Sequence, residues 1–183
     1  MNTANPTVSQ TLWRPLDISP RRLAFTVCAA ALVAGNLLAP AACHAFALGG
    51  QTWLPIYFFT LMGAWCLGWR AGLAAALLSP ALNHALAGMP AADVLLAITL
   101  KSAALAIVAG LVSRRVKTTG FALLAGLAIA VIAAQLLGGL VQTALAGHGA
   151  ALRDLALGWP GILLQIAGGF AVARLFARIR RNA

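Results

Sequence analysis

The sequence predicts an all-α integral membrane protein, a six-helix bundle with both termini in the cytoplasm. Three observations lead to this fold class: the composition, the number of apolar runs and the positions of the basic residues. Of the 183 residues, 62% are hydrophobic and only 9% are charged, and the mean hydropathy is +0.91. Soluble domains are about half apolar and about a quarter charged. The length suits one domain, so we expect a single unit embedded in a bilayer.

Six apolar runs supply the predicted transmembrane helices, because a bilayer core takes about 20 apolar helical residues. The predicted spans cover residues 23–41, 54–69, 71–87, 93–112, 119–146 and 158–177. The second and third are short and are separated by Arg70, whereas the fifth is long enough to tilt. Three loops then lie together on one side of the membrane, at residues 41–53, 84–93 and 147–158.

The chain before the first span is expected to be a flexible cytoplasmic lead. Residues 1–20 contain Pro6, Pro15 and Pro20 and have no apolar run. Residues 21–183 then form the single six-helix domain.

Basic residues predict the orientation of this bundle. With six spans, eleven of the thirteen Lys and Arg residues fall on one side: Arg14, Arg21, Arg22, Arg70, Arg114, Arg115, Lys117, Arg174, Arg178, Arg180 and Arg181. The other side holds only Arg153, beside Asp154, and the thirteenth cation is Lys101 within span four. The positive-inside rule therefore places both termini in the cytoplasm of a multi-pass inner-membrane protein. Five or seven spans would scatter these charges.

The first span has a competing interpretation as a cleavable signal. The stretch "SPRRLAFTVCAAALVAGNLLAPAACHAFA" has a basic region, an apolar region and an A-x-A ending at Ala45–Phe46–Ala47. Cleavage would leave five spans. The apolar run is long for a signal, and the later spans already have basic flanks on the expected side, so we favour a retained span.

Composition and motifs also exclude several classes of function. The net charge of +10 would suggest nucleic-acid binding in a soluble protein, but the basic residues here flank apolar runs, so we expect no nucleic-acid partner. No GxxxxGK[ST] phosphate loop is present. The three histidines and three cysteines do not form a metal-ligand pattern, and no serine has the neighbours needed for acyl chemistry. The sequence therefore predicts neither an enzyme nor a metal protein.

Small residues at four-residue spacing recur along the spans and let helices approach closely. The sets are Ala30 and Ala34; Ala71 and Ala75; Gly126, Ala130 and Ala134; Gly169 and Ala173. For most sets, packing within the bundle is expected. The pair Ala30 and Ala34, on a first span with few polar residues, is the candidate docking surface for another membrane protein.

Polar and aromatic residues on the predicted outer side are candidate ligand contacts. Gln51 and Trp53 lie in the first outer loop beside two glycines, and Asn83 and His84 lie at the outer end of span three. Trp159 opens span six. Trp53, Trp159 and Asn83 have simpler alternatives, since tryptophans are common at membrane interfaces and Asn83 is as well suited to a bond between helices.

Lys101 interrupts the apolar stretch "ADVLLAITLKSAALAIVAGLVSRR", residues 92–115. An ionisable residue within a span is by default a functional candidate. The sequence has no Glu, and its three Asp residues all lie outside the predicted spans or at their edges. We therefore expect the partner of Lys101 to be an anionic ligand, held by charge-assisted hydrogen bonds. A structural role, with a carbonyl or a helix dipole as partner, is the alternative. Gln135 and Gln142 are further candidates for the same cavity, or for bonds between helices.

The stretch from residue 54 to 115 resembles the S components of energy-coupling factor transporters. The shared features are the "LPIYFF" entry, the G-x-R-x-G-L turn from Gly68 to Leu73, the "LLSP" helix, the "GMP" loop and a fourth span with basic residues at its end. They cover about a third of the chain, and the six-span layout fits throughout.

The resemblance implies a substrate-capture subunit with cytoplasmic termini. Such a subunit binds a vitamin, a vitamin precursor or a metal ion from outside, under a first loop that can act as a lid. It carries no cofactor, because ATP is used by two partner ATPases, and a membrane coupling subunit docks on small residues of the first helix, here Ala30 and Ala34. Many relatives have an acidic residue near the position of Lys101, so the substrate here is expected to be anionic.

Two other classes stay open on the sequence alone. A stand-alone transporter or channel needs a polar path across the membrane, whereas the polar residues here cluster in the outer half of the spans. A membrane scaffold protein needs only the small-residue faces and no ligand.

Overall fold

The structure, a computed structural model, describes residues 15–16, 22–46, 50–117 and 120–182. This part of the chain is helical almost throughout and contains no β-strand, which confirms the all-α class. Its α-helices are α1 (Leu23–Ala45), α2 (Gly50–Trp53), α3 (Pro55–Met62), α4 (Trp69–Ala87), α5 (Ala92–Ser113), α6 (Gly120–Ala146) and α7 (His148–Asn182). A π-helical turn, Gly63–Leu67, continues α3.

In the described part of the chain, four helices are long and apolar enough to cross a membrane. The qualifying segments are Leu23–Cys43, Ala92–Ser113, Gly120–Ala146 and Gly149–Ile179. They make the protein a multi-pass membrane protein. The second predicted span corresponds to α3 and its π turn, of eight and five residues, and the third corresponds to α4, which carries Arg70 and His84. That these two segments also cross is still a prediction.

The predicted outer loop at 147–158 is wrong. Only Gly147 interrupts the chain there, with a φ of 84°, and α7 begins at His148. Beyond Gly149 the stretch consists mainly of Ala and Leu, which are strong helix formers. An apolar run marks the part of a helix that lies in lipid, whereas the helix itself continues until a residue stops it. The other predicted spans differ from the observed helices by smaller amounts at their ends.

The helices surround α3 on several sides. Helix α1 packs on α4, α4 on α5, α5 on α6 and α6 on α7, while α3 packs on α1, α4, α5 and α7. Neighbouring long helices run antiparallel. For example, the end of α5 lies beside the start of α4, because a Cβ on Gly110 would be 2.4 Å from the Trp69 Cβ. The predicted packing role of the small residues is confirmed for three sets, because Ala71, Ala75, Gly126, Ala130, Ala134, Gly169 and Ala173 are all buried.

The bundle has a basic end and an opposite end. The basic end is where α1 and α4 begin and α5 and α7 finish, and its described cations are Arg22, Arg70, Arg114, Arg115, Lys117, Arg174 and Arg178. The core toward this end is mainly apolar, with Trp65, Leu123 and Leu127 fully buried, and its buried Ser113 donates to the Gly110 carbonyl of its own helix. The opposite end carries the α4–α5 and α6–α7 connections, and it corresponds to the predicted outer side.

The predicted flexible lead, residues 1–20, lies outside the described residues except for Pro15 and Leu16. The backbone N–H of Leu16 donates a hydrogen bond to the carbonyl of Cys66, at 2.9 Å. This contact brings the chain before α1 to the π turn, at the basic end.

Candidate functional site: a buried ion pair between α5 and α7

Lys101 lies inside the bundle, as the sequence predicted. It is the tenth residue of α5, which places it ~13 Å along the helix axis from Ala92. Its side chain is only 4% exposed, so the ammonium group does not reach water or lipid headgroups by extending along the helix surface. A cation at this depth needs a partner.

That partner is Asp154, and the expectation that this chain offers no carboxylate to Lys101 is wrong. The Lys101 Nζ donates to Asp154 Oδ2 at 2.6 Å. The carboxylate side chain is 24% exposed, so it is much less enclosed than the lysine. Asp154 escaped the sequence analysis because it was assigned to a loop, whereas it occupies the second turn of α7. The pair thus neutralises both charges within the bundle.

Two further residues shape the space around the ammonium group. The Nζ atom lies 5.3 Å from the centre of the Tyr57 ring, within the range of a cation–π contact. Gly138 on α6 leaves room for the lysine stem, since a Cβ there would be 2.6 Å from Lys101 Cγ and 2.7 Å from Cδ. Four elements, α3, α5, α6 and α7, therefore meet at this side chain.

A second set of buried polar side chains links α1, α3, α4 and α5, and we call it the polar cluster: Asn36, Thr60, Ser79, Asn83 and Ser102. The Asn36 amide donates to Thr60 Oγ1 at 3.0 Å and to Ser79 Oγ at 3.1 Å. Thr60 and Ser102 share a hydrogen bond between hydroxyl oxygens 3.3 Å apart. Because Ser102 follows Lys101 in α5, the cluster and the ion pair lie at similar depth, in the half of the bundle near the opposite end.

Some buried polar atoms in the described part of the chain have no hydrogen-bond partner. They include Asn36 Oδ1, Gln142 Oε1 and Gln165 Nε2. Gln142 follows Gly138 by one helical turn on the same face of α6, so it lies one turn toward the opposite end from the glycine that contacts the Lys101 stem. A buried acceptor without a partner costs about 1–3 kcal/mol. Its position therefore favours a site where a ligand supplies the missing hydrogen bond.

The structure places the predicted pair Asn83 and His84 in different roles. Asn83 is 8% exposed, and its Nδ2 donates to the Asn36 backbone carbonyl at 3.0 Å, so it bonds across helices. His84 Nδ1 donates to the Pro90 carbonyl at 2.8 Å, which requires the proton on Nδ1 and ties α4 to the α4–α5 connection. Both lie at the opposite end of the bundle, and their contact with a ligand stays a prediction.

The other predicted contact residues are spread over a wider area. Gln51 in α2 is exposed, Gln135 on α6 is half-buried, and Trp159 on α7 is 59% exposed. Among the described residues, none of these three forms a hydrogen bond or an ion pair with Lys101 or Asp154. Trp53 is half-buried and lines a groove instead.

This groove is apolar and lies between α1 and α7, over the face of α3. It has a volume of about 360 Å³ and is lined by Ala39, Cys43, Trp53, Pro55, Phe58, Phe59, Leu164 and Gly168. Phe58 and Phe59 pack edge to face, with ring centres 5.7 Å apart. Its lining provides no charged group, so the groove does not match the predicted anion site.

Ala30 and Ala34, the predicted docking pair, are both exposed on α1. The face that α1 turns to the bundle carries Ala29, Val33 and Asn36. The two alanines therefore lie outside the internal packing, where a partner helix can reach them.

Sequence reasoning missed Asp154, Tyr57, Gly138 and most of the polar cluster. A signal existed for Asn36, because an amide within an apolar span is normally hydrogen-bonded to another helix. A signal also existed for Asp154, which is one of only three acidic residues in the chain. For Tyr57 and Gly138, the contact depends on helix rotation, and neither composition nor spacing specifies it.

No reported relative adds to this picture. Comparisons with models of protein families, with curated proteins and with solved structures find no match for this chain. The geometry of the site and the patterns in the sequence must therefore support any functional conclusion.

Proposed function

We propose that this protein is the membrane-embedded substrate-capture subunit of an uptake transporter of the energy-coupling factor type. It binds a small anionic compound, such as a vitamin or its precursor, from the outer side of the cytoplasmic membrane. ATP is used by partner ATPases, and a membrane coupling subunit docks on α1 at Ala30 and Ala34. The resemblance of residues 54–115 to S components supports the transporter type.

One observation carries the capture role: a charged pair and a polar cluster lie in one half of the bundle, and the core of the other half is apolar. Lys101 lies in the half of α5 toward the opposite end and Asp154 in the second turn of α7, whereas Trp65, Leu123 and Leu127 fill the interior toward the basic end. A site that is polar at one end and closed at the other suits a subunit that binds a compound from one side of the membrane. Release to the other side then requires the action of a partner subunit. A channel needs a path that continues through both halves of the bundle.

Native mass spectrometry of the gently purified full-length protein tests this proposal. We expect a small organic compound bound at one copy per chain. The matched variant is the double substitution Lys101→Met with Asp154→Asn, which removes both charges together and so leaves no unpaired charge in the bundle. It should unfold at a temperature close to that of the original protein and carry no such compound.

Two results would contradict the proposal. If both proteins carry phospholipid alone, a scaffold function is supported instead. If cells that express this chain without any coupling subunit accumulate the compound, the protein is a stand-alone transporter.

A further inference from the structure

The two members of the ion pair are enclosed to very different extents. Lys101 is 4% exposed and cannot leave its position without breaking the packing of α5 against α6 at Gly138. Asp154 is 24% exposed and lies in the second turn of α7, close to the Gly147 turn. A rotation about its side-chain bonds can take the carboxylate toward water, whereas the ammonium group stays in place. The anion is therefore the exchangeable member.

The ammonium group also has spare hydrogen-bonding capacity. It carries three N–H donors, and among the described residues its one hydrogen bond goes to a single carboxylate oxygen, Asp154 Oδ2. The Tyr57 ring covers another side. Gln142, one helical turn beyond Gly138 on α6, has a buried Oε1 without a partner. The site can therefore satisfy more hydrogen bonds than the Asp154 side chain provides.

We propose that Asp154 is a built-in counter-ion, which occupies a carboxylate subsite at Lys101 and is displaced by the carboxylate of the ligand. The proposal rests on the proposed capture function and specifies the substrate class of that same site. Exchange of one carboxylate for another leaves the interior neutral, because Lys101 is paired at all times and Asp154 moves to water. A doubly charged phosphate would leave a net negative charge in the bundle, which is costly at low dielectric.

The ligand is therefore a small monocarboxylate. An N–H or O–H group on the ligand, near the carboxylate, fits the unpaired oxygen of Gln142. As long as Asp154 is present, it competes with this ligand, so its removal should strengthen the binding of carboxylates at Lys101.

Chemical rescue of the full-length variant Asp154→Ala tests the subsite, with acetate as the probe. Thermal unfolding in detergent is measured in sodium acetate and in sodium chloride of equal ionic strength. We expect acetate to raise the unfolding temperature of Asp154→Ala by several degrees, because acetate fills the vacated position beside Lys101. The original protein should show no such rise at the same concentration.

Two controls separate the subsite from general salt effects. The double variant Lys101→Met with Asp154→Ala lacks the cation, and Asp93→Ala removes an exposed carboxylate at the start of α5. Neither variant should unfold at a higher temperature in acetate than in chloride. If Asp154→Ala does not fold, Asp154→Ser also leaves the carboxylate position vacant, and it should show the same selective response to acetate.

The proposal is overturned if neither Asp154 variant distinguishes acetate from chloride, or if the double variant responds equally. This outcome is distinct from failure of the capture function. A compound that co-purifies and is lost from the Lys101→Met, Asp154→Asn variant would still support capture, but through contacts other than the exchange of Asp154.

Discussion

At the scale of single residues, the pair of Lys101 and Asp154 shows how a charge is accommodated in an apolar bundle. A carboxylate 2.6 Å from the ammonium group neutralises it, and the nearby ring of Tyr57 adds an electrostatic contact. Replacement of such a pair by neutral side chains of similar size is often close to neutral for stability, whereas loss of one partner costs about 3–5 kcal/mol. The relative stabilities of the two single variants and the double variant therefore test whether the two side chains interact.

We predict that Asp154→Asn destabilises the protein by about 3–5 kcal/mol, since it leaves an enclosed cation without its counter-ion. Lys101→Met should cost less, because the more exposed Asp154 can turn toward water. The double variant should recover most of the loss. Thermal or denaturant unfolding in one detergent measures all three, and Asp93→Asn, at an exposed site, is the control. Additive effects of the two single substitutions would contradict a direct interaction.

The depth of Lys101 could be predicted from the sequence, but its partner could not. The apolar stretch around Lys101 fixed its position along a helix, and the rarity of charges made it a candidate. Asp154 was placed in a loop because hydropathy locates the lipid-facing part of a helix and not its ends. The polar cluster joins four helices, and its contacts depend on the rotation of each helix about its axis. That rotation is set by packing, which a single sequence does not specify.

At the scale of elements, α2 is held against α7 by a close approach of main chains. A Cβ at Gly161 would lie 2.6 Å from the carbonyl carbon and oxygen of Trp53 and 2.8 Å from the oxygen of Thr52. Main-chain atoms cannot move aside by a rotamer change. The short helix that was predicted as part of a lid is therefore packed on α7 in this structure.

We predict that Gly161→Ala destabilises the protein by about 1–3 kcal/mol, because the added methyl group forces α2 away from α7. Amide hydrogen exchange should then increase in residues 50–54. The matched control is Gly149→Ala in the same helix, where a Cβ meets no atom within 4 Å. This control should be neutral or slightly stabilising, as expected for Ala in a helix. Equal behaviour of the two variants would show that α2 does not pack on this glycine.

At the scale of the whole molecule, the bundle has two chemically different ends. The described arginines and lysines at helix termini gather at one end, with Arg153 at the other, and the polar interior lies toward the end that has few charges. This agrees with the charge pattern read from the sequence. The four long apolar helices were all among the predicted spans, whereas the two shorter segments need a test of their own.

Single-cysteine labelling tests the orientation and the number of spans, in a variant without Cys28, Cys43 and Cys66. Phe46→Cys and Met89→Cys, at exposed sites of the opposite end, should react with a membrane-impermeant maleimide in intact spheroplasts. Arg70→Cys and Arg115→Cys, exposed at the basic end, should react only after lysis. Because Arg70 follows α3 and precedes most of α4, its labelling from outside would show that these two segments do not cross.

The space that Gly138 leaves for the Lys101 stem should constrain how both positions change in evolution. The lysine stem occupies the volume that any other residue at position 138 would need for its own side chain. Homologues that keep a long cation at position 101 should therefore keep glycine at 138, and those that place alanine or serine at 138 should carry a shorter or neutral residue at 101. The two positions form one coupled unit, and we expect them to change together over the history of the family.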